Sequence, residues 1–216
     1  MRMKRFKKYL TESSNSIVVL DVDDTIIHSA AKVRVKEHDV WKTLSTDQFA
    51  KQRGSISKDA KYDFSDFRDF QKIYDTITHG KIIKNILKII DDAVNNNVKI
   101  GILTARAKPY AILVALKTIL RYRDSKTNEL KPIPRDLFRK KFVFAVGEPS
   151  TRKLVGRTMD GSENPEDVKA LVLQKVFGDK YGFGDIKFYD DDKSNISAVN
   201  KLDDKRIKAI LVSSDI

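Results

Sequence analysis

Apolar positions along the chain follow two kinds of pattern. Five short runs, at 16–20, 98–103, 142–146, 186–189 and 207–212, are almost continuously aliphatic or β-branched. Runs of this length without polar alternation predict strands buried on both faces, as in a parallel sheet covered by helices. Between them the period changes. Ile82, Ile83, Ile86, Leu87 and Ile90 recur at the spacing that lines one helical face, and Asn95-Asn96-Asn97 closes that helix before the second strand. Pro109 opens a helix predicted to reach about Tyr122. Asn164-Pro165-Glu166-Asp167 reads as a cap, a first-turn proline and acids at the positive end of a helix running to about Phe177. A last helix is predicted near 194–202.

This order predicts an α/β fold, a doubly wound, mainly parallel five-stranded sheet of Rossmann-like type. Residues 1–27 and 81–216 make the core. The segment 28–80 is too long for an ordinary connection and is predicted to form a small flap or cap. Within it, 32–35 alternates and 38–42 is the expected antiparallel partner. Thr46-Asp47 is read as a helix cap. Phe64, Phe67, Phe70 and Tyr74 form an aromatic stripe assigned, like Trp41, to core packing. Ligands of such sheets bind beyond the carboxyl ends of the strands, where this chain places Asp21, Thr104 and Asp190.

Composition narrows the class. The 216 residues are 41% hydrophobic and 33% charged, which fits an ordered domain with a modest insertion. No apolar run is long enough to span a bilayer. The basic start, residues 1–8, is followed by no apolar segment, so no secretory signal is expected. The chain contains no cysteine, which excludes disulfides and thiolate metal sites and fits a cytoplasmic location. The net charge of +12 favours polyanionic partners, nucleic acid included, but a solubilising surface accounts for it equally well.

The densest chemistry is Asp21-Val22-Asp23-Asp24-Thr25, directly after the first strand. One or two acids are ordinary in turns and caps. Three crowded at a sheet edge repel one another unless a cation compensates, and a hard divalent ion with oxygen ligands would do so. Asp190-Asp191-Asp192, followed by Asn195, forms a second acidic cluster at another strand end. Thr104 alone would be a helix cap. Lys169, on the helix before the fourth strand, returns a cation to the same rim, with Lys153 and Lys175 as competitors. His28, His38 and His79 have no metal-ligand spacing. Arg106 is the better candidate for touching a substrate, although most such arginines are solvated or paired on the surface.

In order along the chain, Asp21-Val22-Asp23-Asp24-Thr25, Leu103-Thr104, Lys169 and Asp190-Asp191 with Asn195 resemble the four motifs of the haloacid-dehalogenase-like (HAD) superfamily. The long insert after the first strand is similar to the first-position caps of that superfamily. The stretch 188–196 also resembles small phage-encoded HAD-like proteins. One departure is Asp24, where many members carry glycine and where a side chain would narrow a phosphate pocket.

The resemblance implies a Mg²⁺-dependent phosphatase. Asp21 would attack phosphorus to form an aspartyl-phosphate, and Asp23 would serve as acid and then base. Mg²⁺ would be held by Asp21, the backbone carbonyl of Asp23, and Asp190 or Asp191. Thr104 and Lys169 would hold phosphate oxygens, and Asn195 would orient the acidic loop. The expected substrate is a small phosphorylated metabolite or nucleotide. Two alternatives stand beside it: a polynucleotide-end phosphatase, supported by the basic arm 2–8, and a non-catalytic binding module. Against the last, such a module has no need of Asp23.

Overall fold

The protein is described by a computed structural model covering residues 15–158 and 164–212, so the basic arm 1–8 lies outside the described residues. Strand β1 (Ser16–Leu20) is buried on both faces and delivers Asp21 at its carboxyl end. After a tight turn the insert begins with β2 (Ile27–His28). Strands β3 (Lys32–Glu37) and β4 (Val40–Ser45) form the expected hairpin. Its two-residue turn is His38-Asp39, with φ of 47° and 64°, a geometry that matches the strand twist. His38 therefore belongs to the turn and not to the second strand.

Helix α1 (Thr46–Gln52) is capped by Ser45, one residue earlier than the sequence suggested. The Ser45 hydroxyl accepts from the Gln48 amide at 3.2 Å, and the Gln48 side chain accepts from the Ser45 amide at 2.9 Å. Strand β5 (Lys61–Asp63) pairs with β3 to complete a three-stranded antiparallel sheet in the order β4-β3-β5. Helices α2 (Ser65–Arg68) and α3 (Phe70–Thr78) follow, and β6 (Lys81–Ile82) closes the insert by pairing antiparallel with β2. The aromatic stripe is only partly core. Tyr74 packs against the main cluster, whereas Phe70 is 43% exposed and Trp41 is 51% exposed on the hairpin.

The core resumes with α4 (Lys84–Asn95), which buries Ile86 and Ile90. It starts later than its apolar period, because 81–82 is held in the strand pair with β2. Strand β7 (Lys99–Thr104) leads to α5 (Pro109–Ile119). That helix stops at Ile119, and β8 (Arg121–Arg123) turns back on β9 (Leu130–Pro132) in a hairpin that the sequence reading did not anticipate. Strand β10 (Val143–Ala145) precedes α6 (Pro149–Leu154). Helix α7 (Pro165–Leu171) widens into a π-helical segment, Val172–Lys180, and Asn164 makes no side-chain cap. Strand β11 (Asp185–Asp190), α8 (Lys193–Asn200) and β12 (Ile207–Leu211) complete the chain.

The five core strands form one parallel sheet in the order β10-β7-β1-β11-β12. Alternate residues of β1 feed two separate cores, Val18 and Leu20 one side, Ile17 and Val19 the other. Helices thus cover both faces, which explains the unbroken apolar strands. Gly101 of β7 lacks a side chain where one would come within 3.0 Å of the Phe177 ring, so the ring lies directly against the sheet. From β1 the chain winds outward to β7 and β10, then crosses to β11 on the other side. This reversal opens a crevice at the carboxyl ends of β1, β7 and β11. Among the described residues, no helix is long and apolar enough to cross a membrane.

Candidate active site

The crevice collects the residues that the strand ends supply. Asp21, Thr104, Lys169, Asp190 and Asn195 are all buried there. The Lys169 ammonium donates to Asp190 Oδ2 at 2.8 Å and lies 3.1 Å from Asp21 Oδ1. Asn195 donates to both oxygens of Asp190 at 2.9 Å, and the Asp192 amide donates to Asp190 Oδ1 at 2.9 Å. Thr25 donates to Asp191 at 3.1 Å. Asp190 is therefore fixed from three sides, and the loop after β11 is held in place by its own first turn.

Of the three competing lysines, Lys169 reaches the acids. Lys175 donates instead to the Val155 carbonyl at 3.1 Å, and Lys153 is exposed. Burial would drive the Lys169 ammonium toward neutrality, but Asp190 and Asp21 more than offset it and raise its pKa. The acids respond in the opposite sense. Burial pushes the Asp21 carboxyl well above the ordinary range, with Asp190, Asp191 and Asp23 adding repulsion and Lys169 partly relieving it. Asp191 is pushed up to about 7 by burial and then by Asp190 and Asp24. Such values mark a site with more negative charge than its one lysine neutralises.

Ligand oxygens of Asp21, Asp190 and Asp191 lie within 4.8 Å of one another. Asp21 Oδ1 is buried and, for all its nearness to Lys169, accepts no hydrogen bond of good geometry among the described residues. Three carboxylates this close, one of them with an oxygen that accepts no hydrogen bond, are an oxygen-only donor set of the kind that suits a hard divalent cation.

Asp23 is expected to meet the ion through its backbone carbonyl, and its side chain has a different partner. Its carboxylate turns away, to Arg106. The guanidinium donates from Nε to Oδ2 at 2.8 Å and from Nη2 to Oδ1 at 2.7 Å, a two-pronged pair. Arg106 is fully buried, so it is a partner of Asp23 and not the solvated or substrate-touching arginine that its sequence position suggested. Burial would raise the Asp23 carboxyl, but the charge and hydrogen bonds of Arg106 prevail and hold it below its usual range.

Asp24, the position where many HAD members carry glycine, has its own partners. It takes a left-handed conformation with φ of 55°, where glycine would be unstrained. Its carboxylate accepts the Thr46 hydroxyl at 2.6 Å and faces His28 Nδ1 at 3.0 Å. It therefore joins the β1 loop to the insert. His38 is exposed on its turn, and His79 contacts only the Asp75 carbonyl, at 2.7 Å. The backbone of Arg106 approaches Thr104 Oγ1 at 3.4 Å, and beneath this loop runs Gly147.

A family model described as "Protein of unknown function (DUF2608)" matches residues 1–120. The chain belongs to that family. The matched region holds β1 with Asp21, Asp23 and Asp24, the whole insert, and β7 with Thr104 and Arg106. Lys169 and the Asp190-Asp191 loop lie beyond it. No curated protein and no solved structure matches the chain.

Proposed function

We propose that this DUF2608 member is a Mg²⁺-dependent phosphomonoesterase of the HAD type, with the insert as its cap. The observation that carries the reading is the convergence of Asp21, Asp190 and the half-buried Asp191, with an Asp21 oxygen that accepts no hydrogen bond and only the Lys169 ammonium beside it. Asp21, Asp190 and Asp191 are the residues that would hold the ion. When bound, Mg²⁺ supplies positive charge that neutralises the carboxylates and a substrate phosphate together.

The protein groups divide the remaining work. An Asp21 oxygen bonds to phosphorus while the phosphorus–oxygen bond to the leaving group breaks, and the bonding pair departs with the alkoxide. Asp23 would hand a proton to that alkoxide once the charge of the bound phosphate offsets the pull of Arg106, which holds its carboxyl low in the free site. Water then attacks the aspartyl-phosphate, Asp23 takes its proton, and phosphate leaves with Asp21 restored. Lys169 and the Thr104 hydroxyl, both buried at the strand ends, would bind phosphate oxygens.

A second reading, a polynucleotide end as substrate, has one structural observation in its favour. On the outer face of the insert sheet, Lys36 stands between Trp41 and Lys61, and Arg34 stands in the next row. An exposed aromatic among basic side chains is the composition that binds single strands. Phosphate release from phosphorylated metabolites, nucleotides and end-phosphorylated oligonucleotides, with Mg²⁺ and with chelator, tests both readings. The first expects chelator-sensitive turnover of small esters with little salt dependence. Turnover confined to oligonucleotides and falling steeply with salt supports the second.

A further inference from the structure

Arg106 shares its buried guanidinium between the core and the insert. Two prongs hold Asp23, and the remaining nitrogen, Nη1, donates to the Thr76 hydroxyl of α3 at 2.9 Å. Thr76 is in turn oriented by its own helix, donating to the Lys72 carbonyl at 2.8 Å. The Phe67 ring covers the guanidinium, its centre 5.2 Å from the Arg106 central carbon. The backbone repeats the junction, since the Ala107 amide donates to the Phe67 carbonyl at 2.8 Å. Every one of these partners except Asp23 belongs to the insert.

We infer that Arg106 is the positioning residue for Asp23, and that Thr76 and Phe67 of the insert set its aim. The inference rests on the phosphatase reading and adds to it a role for the insert. A carboxylate can rotate about its last two bonds. A planar fork that meets both its oxygens removes that freedom, and the fork is itself fixed by Thr76 on one edge and Phe67 on one face. The insert is then part of the acid–base apparatus, more than a cover. The step concerned is proton delivery: the leaving oxygen gains a proton from Asp23 as its bond to phosphorus breaks, and Asp21 gains that phosphorus. A substrate whose leaving group is stable as an anion needs no such delivery.

The test compares an alkyl phosphate with 4-nitrophenyl phosphate, using Mg²⁺-loaded enzyme. Arg106→Lys keeps the charge but loses the fork. General acid catalysis contributes roughly 100-fold or more, so kcat on the alkyl ester is expected to fall by about that factor. On the nitrophenyl ester it should stay within about threefold, since little proton transfer is needed there. Thr76→Val, nearly isosteric and easier to fold, is expected to show the same pattern at smaller size. In an Asp23→Asn background, Arg106→Lys should cause no further loss, because the residue acts through Asp23. Equal losses on both esters, or a full further loss in the Asp23→Asn background, would overturn the inference while leaving the phosphatase reading intact. Wild-type protein inert on both esters would overturn that reading, and the inference with it.

Discussion

The carboxylate of Asp24 accepts the Thr46 hydroxyl at 2.6 Å, joining the loop after β1 to the first helix of the insert. Asp24 keeps a left-handed backbone to do so, at a cost of about 1 to 3 kcal/mol. Asp24→Gly removes the strain and the tether together. Global stability is expected to change by less than about 1 kcal/mol, since the relief and the lost bonds offset each other. Amide exchange in α1 should nevertheless accelerate, because that helix loses its anchor. Unchanged exchange there would show that the bond holds nothing.

Lys169 is the cation that keeps Asp21 and Asp190 together in a buried site. Lys169→Met preserves most of its volume and leaves two buried carboxylates uncompensated, which should destabilise the metal-free protein by about 3 to 5 kcal/mol at neutral pH. Lowering the pH should restore part of that loss, because protonated carboxyls need no partner. Denaturant unfolding at two pH values measures it. A variant as stable as wild type at neutral pH would contradict the electrostatic account.

Asp191 gives the pH dependence of ion binding its sign. Its carboxyl is raised to about 7 in the fold, against an ordinary value of 3.8. A raised acid binds more protons folded than unfolded between those values, so its contribution to stability falls as pH rises from about 4 to about 7. A divalent cation competes with these protons. Thermal stabilisation by Mg²⁺ should therefore be larger near pH 8 than near pH 5, with net proton release on binding. Thermal melts and titration calorimetry at the two pH values decide it, and stabilisation independent of pH would argue that the ion binds elsewhere.

Gly147 passes so close beneath the loop after β7 that an added methyl would lie 2.8 Å from the carbonyl oxygens of Ala105 and Arg106. Gly147→Ala must displace that loop, at a cost of about 1 to 3 kcal/mol. Since the same loop carries Arg106, activity on alkyl esters should fall more than activity on nitrophenyl phosphate. Steady-state kinetics on both esters measures the difference. Equal losses would mean that the loop's displacement does not reach Asp23.

The strand ends were legible in the sequence because unbroken apolar runs announce where a parallel sheet stops, and Asp21, Thr104 and Asp190 stand at those stops. The pairing of Arg106 with Asp23 was not, because it spans 83 residues and depends on β1 and β7 being neighbours. Residues 121–123 read as the tail of α5, since neither glycine nor proline breaks the pattern there. The available signal was the turn at Asp124 to Asn128, whose carboxylate and left-handed residue close the hairpin. Ser45 lost the cap to Thr46 in the sequence reading because both residues cap well, and only Gln48 three positions after Ser45 distinguishes them.

Asp21 carries the central claim, and Asp21→Asn tests it with the least change of shape. Both proteins, matched for folded fraction and loaded with Mg²⁺, are assayed for phosphate release on a phosphomonoester that the wild type turns over, and the quenched protein is examined for phosphoryl groups by peptide mass spectrometry. The account predicts metal-dependent release and a transient phosphoryl adduct on the peptide containing Asp21 in the wild type, with neither in Asp21→Asn. Sustained release by Asp21→Asn, or an adduct on another residue, would contradict it.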